Sequence, residues 1–93
     1  MVNAVLLNPK DMVVTVTEEI AHGEEVSYIA GKNVCVVKAA QAIPIYHKIA
    51  IASAKKEQDV IKYGEKIGVA LQDFVPGEHV HTHNLGSKIE VES

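Results

Sequence analysis

The 93-residue chain carries nine lysines, no arginine and twelve acidic residues, for a formal charge of -3; basic charge so sparse and scattered excludes a phosphate-tracking nucleic-acid surface. No apolar run approaches the ~18 residues of a membrane-spanning helix, and the start lacks the basic and apolar regions of a secretory leader, which predicts a cytoplasmic protein. Residues 1–93 make one domain, and a chain this short buries only about 60–65% of the surface its unfolded form exposes, which leaves little room for a deep private active site.

Short β-branched runs follow one another along the chain: Val2–Leu7, Met12–Thr17, Glu25–Ile29, Val34–Lys38, Ile49–Ala52, Asp59–Tyr63, Ile67–Leu71 and Val80–His83. Turn residues separate them, so the spacing predicts a compact, mostly-β domain. Asn8-Pro9-Lys10-Asp11 and Ala30-Gly31-Lys32-Asn33 read as turns, the second closing a hairpin. The best helical stretch is Lys38–Ala42, Ala-rich but stopped by Pro44, enough for a turn or two. Cys35, the sole cysteine, excludes an intrachain disulfide and a zinc–cysteine cluster and reads as an inert core thiol.

Three segments share a pattern: Ile20–Val26, Ala54–Val60 and Phe74–Val80. Each puts an apolar residue three places before a turn position and a Val three places after it. Each is expected to be a short helical turn or bend feeding a strand. Gly23 and Gly77 suit a positive φ there, whereas Glu57 implies a different turn.

Three further stretches can carry chemistry. If Glu78-His79-Val80-His81-Thr82-His83-Asn84 is extended, His79, His81 and His83 share one face, and an H-x-H pair such as His81 and His83 can converge on a metal. A polar interface strand, or histidines binding an acidic ligand, are the alternatives. Pro44-Ile45-Tyr46-His47-Lys48 offers a proton carrier and a cation, or a solvated strand end. Val60–Gly68 offers Lys62 and Tyr63 beside Gly64, where backbone could approach a bound group, or else a plain hairpin. His22 reads as an exposed turn residue without a role. Lacking arginine, the chain cannot itself supply a bidentate clamp on an anion; a partner must.

Taken together, Tyr46–Ile51, Val60–Ala70 and Gly77–Leu85 resemble the SAF-type domain of the altronate and galactarate dehydratase family, weakly before Ala39 and strongly after Pro44. The resemblance implies a small β-clip domain, here with short helical turns, and either the leading domain of a fused enzyme or a separate small subunit. The chain's end shortly after the His-Asn segment suggests the separate form. The family's frequent Gly before His-Lys is Tyr46 here.

What the resemblance implies about function is a hydro-lyase site completed by a large catalytic subunit, acting on a hydroxy acid with iron(II) or a similar divalent ion. His81 and His83 are then expected as metal ligands, His47, Lys48 and Lys62 as catalytic groups, and Tyr63, Gly64 and Asn84 as substrate contacts. Sulfolactate sulfo-lyases have a small subunit of this type, and SAF-type domains also serve as non-catalytic carbohydrate- or protein-binding modules. Whether the chain forms a homo-oligomer stays open.

Overall fold

The computed structural model describes residues 2–86, which form nine strands. Their ranges are β1 Ala4–Val5, β2 Val13–Val16, β3 Glu25–Ala30, β4 Asn33–Lys38, β5 Lys48–Ala50, β6 Asp59–Lys62, β7 Glu65–Ala70, β8 His79–Val80 and β9 Leu85–Gly86. All pairing among them is antiparallel: a four-stranded sheet in the order β1-β2-β5-β8, a β3–β4 hairpin and a three-stranded β6-β7-β9 sheet. The body measures 43 × 26 × 19 Å, so it is thin, as its length demands.

Four type II turns organise the chain. In each, an N–H closes onto the carbonyl three residues back: Glu24 to Ala21, His47 to Pro44, Gln58 to Lys55 and Glu78 to Val75. The third residue of each turn has positive φ: 86° at Gly23, 67° at Tyr46, 74° at Glu57 and 98° at Gly77. The apolar residues before the turns meet in two antiparallel bridges, Ile20 with Ile43 and Ala54 with Phe74. Glu57 therefore makes the same turn as the glycines, and a fourth copy of the repeated pattern exists at Ile43–Ile49.

The two halves carry matching cores. Val16, Ile20, Val26, Ala39, Ile43 and Ile49 close one; Ala50, Ala54, Val60, Ala70, Phe74 and Val80 occupy the corresponding places in the other. Volume is exchanged across the second bridge, where small Ala54 faces Phe74 in place of the two isoleucines, and all four residues remain buried. Strand β5 serves both halves, since period-two alternation sends Ile49 to the first core and Ala50 to the second.

The expected short helical turns are overturned: among the described residues there is no helix. At Lys38–Ala42 the reason is competition for backbone groups. Ala39 donates its N–H to Glu24 and accepts from Gly23, and its side chain is buried in the core, so the strand ladder outbids the helical propensity of alanine. The Ala30–Asn33 hairpin forms as expected, with Gly31 at φ 63°, and Lys62-Tyr63-Gly64-Glu65 closes a second hairpin with φ 59° and 72° at its two central residues, the type I′ pattern.

The glycines of the repeated turn differ in surroundings, which gives a test. A Cβ at Gly23 meets nothing within 4 Å, whereas at Gly77 it falls 2.4 Å from the Lys38 carbonyl oxygen. Gly23→Ala should cost only the left-handed backbone penalty, about 1–2 kcal/mol. Gly77→Ala should cost a further ~1–3 kcal/mol for overpacking. Urea unfolding of the two variants reads the difference.

Candidate metal centre

The histidines meet at one end of the four-stranded sheet. His47 directly precedes β5, and β8 lies beside β5 with Ile49 opposite His79. His47 Nδ1 stands 2.9 Å from His79 Nε2, and the ring of His81 stacks on that of His47 with centroids 4.3 Å apart. One nitrogen from each of His47, His79 and His81 lies within 4.8 Å of the other two. Two nitrogens bound at about 2.1 Å and at right angles on one ion stand about 3 Å apart, so the His47–His79 spacing suits shared coordination.

The chain turns sharply after Val80, and Asn84 makes that turn. Its Oδ1 accepts the His81 N–H at 2.9 Å, its Nδ2 donates to the His79 carbonyl at 2.8 Å, and its own N–H returns to the His81 carbonyl. Asn84 is buried, so both sides of its amide are spent fixing the backbone on either side of Val80. The extended reading of Glu78–Asn84 thus holds only to Val80. His83 leaves the line of the strand and sits exposed, its ring 5.3 Å from that of His79 and tilted to it. Gln41 holds the strand from the other side, its Oε1 accepting the His79 N–H.

Two of these imidazoles, His79 and His81, are biased toward the neutral form. Burial lowers the pKa of His79, with His47, His83, His81 and Lys48 adding to the effect. Desolvation lowers that of His81, followed by His47, Lys48 and His83. Neutral imidazoles with lone pairs in reach of one point are the donor set of a divalent ion of the iron or zinc type, and three of them leave coordination positions open. The trio can hold such an ion. Because no carboxylate among the described residues joins it, the ion's charge would remain available to an anionic ligand.

Lys48, next after His47, has its pKa lowered by burial and then by the charge of Lys62, so the two lysines share one neighbourhood. Lys62 Nζ lies 4.7 Å over the ring of Tyr63, which is exposed at the β6–β7 hairpin tip. Gly64 does permit a close approach, but of the chain's own Asn8, whose side-chain amide lies 2.6 Å from where a Cβ would stand. Its N–H donates to Oδ1 of Asp11 at 2.8 Å. Asp11 is itself buried, and its Oδ2 lacks a partner among the described residues.

The structure therefore brings His47, His79 and His81 together, with Lys48 beside them and Lys62 near Lys48, and sets His83 at the rim. His79 as a member of the trio, Asp11 and Gln41 were not singled out by sequence. The available signal was the fourth turn copy. Three copies carry a Glu or Gln after the positive-φ residue, and its side chain accepts the N–H of the first turn residue: Glu24 from Ala21, Gln58 from Lys55, Glu78 from Val75. The fourth copy has Pro44, with no N–H to give, and His47 in place of the acceptor. Two open grooves flank the bridges, one beside Ile20, Glu24 and Ile43, the other beside Ala54, Gln58 and Phe74. They occupy equivalent places in the two halves and so belong to the architecture of the repeat.

Comparison with known proteins identifies related sequences. The family model described as altronate/galactarate dehydratase SAF domain matches residues 2–88. The alpha subunit of (2R)-sulfolactate sulfo-lyase from Chromohalobacter salexigens is 49% identical over 47 residues, 50% of this chain and 50% of that one. The same subunit from Paracoccus pantotrophus is 50% identical over 46 residues, 50% of this chain and 69% of that one. Altronate dehydratase from Escherichia coli is 37% identical over 79 residues, 85% of this chain but 15% of that enzyme. The match thus spans about half the length of the first of these relatives and a small fraction of the dehydratase.

The lowered pKa values make a pH prediction. The folded His79 and His81 bind protons less readily than the same residues unfolded, near 6.5, so their contribution to stability is complete above about pH 6.5 and is lost as pH falls through their folded values. Imidazole NMR titration should place both below the ordinary histidine value near 6.5, and the loss of Tm on acidification should be smaller in His79→Gln.

Proposed function

This chain belongs to the altronate/galactarate dehydratase SAF-domain family, and from that membership we propose that it is the small subunit of a cytoplasmic hydro-lyase acting on a sugar acid such as altronate or galactarate. The single observation that carries the proposal is the trio of His47, His79 and His81, three imidazole donors on a body too thin to enclose a substrate. A large subunit completes the site. It supplies the remaining walls and the arginine that this chain lacks.

Dehydrating a hydroxy acid removes a proton α to a carboxylate and expels a β-hydroxyl, so negative charge develops on the carboxylate and the leaving oxygen needs a proton. Iron(II) held by the trio, with His83 at the rim, would supply Lewis-acid polarisation. The chain's own residues bind and orient. Asn84 fixes the two β8-side histidines, and Tyr63 and Gly64 form the lip nearest the lysines. Lys48, with its lowered pKa, is poised both to hold the substrate carboxylate and to pass a proton, and Lys62 sustains that lowering. The group that abstracts the α-proton belongs to the large subunit.

A second reading, the small subunit of a sulfolactate sulfo-lyase, is favoured by the 49–50% identity to two alpha subunits of that enzyme. It needs the same α-proton removal, with sulfite leaving in place of water.

Co-expression with a large dehydratase-type chain, followed by assay of sugar acids and sulfolactate for 2-oxo acid and sulfite with and without iron(II), separates the two. The complex should turn over one class of substrate and the isolated chain neither. His47→Ala, His79→Ala or His81→Ala should weaken iron(II) binding by more than about 100-fold, beyond what loss of a supporting contact alone causes. Unchanged turnover and metal content in all three would remove the basis of the proposal, as would dehydration by the chain alone.

A further inference from the structure

Among the described residues, the β3–β4 hairpin has an open outer edge. Ala39 donates to Glu24 across the ladder, and the register continues through Val26 with Val37, Tyr28 with Cys35 and Ala30 with Asn33. By alternation, the N–H and C=O groups of Val34, Val36 and Lys38 point away from β3. Among the described residues, β4 pairs with β3 alone. The next outward donor, Ala40 N–H, is taken by the Gly77 carbonyl. In the other half the equivalent donor, Leu71 N–H, is taken by Asn84, and there the outer edge of β7 carries a third strand, with Val69 paired to Gly86 and Ala70 to Leu85. The architecture thus accepts a strand at this edge, and one half has it.

The open edge also lacks the features that keep edges apart. Asn33–Lys38 contains no proline and no glycine, and its one charge is at the end. On its outward face Val34 is 65% and Val36 54% exposed, with Ile29 beside them on β3 at 53%.

We propose that β4 pairs with β4 of a second copy of this chain, in an antiparallel register centred on Val36. The edge is self-complementary in that register. Val36 meets Val36 of the second copy, and Val34 lies opposite Lys38, so the outward-pointing groups of all three residues find partners. The charges agree as well: the two Lys38 side chains are held at opposite ends, each beside the Glu25 that faces it across its own hairpin. Such an interface is isologous and closes at a dimer. It lies on the arm of the half opposite β6–β7, so it leaves the Lys62–Tyr63 tip free.

Sedimentation velocity of the full chain over micromolar to submillimolar concentrations tests this. The wild type should dimerise, and Val36→Lys, which sets like charges directly opposite, should raise the dimer Kd by at least about tenfold. A second measurement fixes the register without depending on that variant's fold. A hydrogen-bonded antiparallel pair has its Cα atoms about 5.5 Å apart, within disulfide range. In a Cys35→Ser background, Val36→Cys should form a disulfide-linked dimer with oxidised glutathione, and Val34→Cys should not. A wild type that stays monomeric throughout, or linkage at 34 without linkage at 36, overturns the proposal.

Discussion

Everything in this fold passes through Lys48-Ile49-Ala50. A three-residue strand pairs on one side with β2 and on the other with β8, and its alternation assigns Ile49 to one core and Ala50 to the other. A thin body cannot build one deep core, so it builds two shallow ones that share a central strand. The same register decides chemistry. Pairing of β5 with β8 sets Ile49 opposite His79, so His47, two residues before Ile49, lies diagonal to His79 and their imidazoles meet. A slip by one residue would exchange the faces of Ile49 and Ala50 and separate the two imidazoles, so stability and site geometry constrain the same register.

The candidate centre arises where one copy of a repeated turn departs from the others. In three copies a Glu or Gln side chain locks the turn by accepting a backbone N–H. At Pro44 that donor is missing, and the residue that would have accepted it, His47, is free to point at His79 and His81. The pyrrolidine ring holds φ there in compensation. Tyr46, like Glu57 in another copy, holds the left-handed backbone of the turn, φ 67°, without being a glycine. Its side chain is 70% exposed, and it directly precedes His47 of the metal-compatible trio.

Much of the architecture was legible from residue types. Seven of the eight predicted strands have counterparts, because β-branched runs bounded by Gly, Pro and Asn leave few alternatives, while Val80–His83 is strand only at Val80. Three of the four turns were visible from the spacing of apolar residues. The fourth was masked because tyrosine and histidine stand where the pattern needs glycine and glutamate. The helical expectation at Lys38–Ala42 failed since alanine's local preference is weak beside two ladder bonds and a buried side chain. The histidines were recognised as a group, but the pair expected to converge was His81 with His83. Which imidazoles converge depends on where the strand ends, and that is set by Asn84 through three hydrogen bonds that its spacing alone does not reveal. Asp11, far from Gly64 in sequence, carried no local signal.

The central claim, that His47, His79 and His81 form one divalent-ion centre on this chain, is tested most directly by titrating the full chain with cobalt(II) and recording the imidazole N–H resonances. The account predicts saturable binding, with large paramagnetic shifts at His47, His79 and His81, a smaller one at His83 and none at His22. Shifts centred on His81 and His83 with His47 unaffected, or equal weak perturbation of all five histidines, would contradict it.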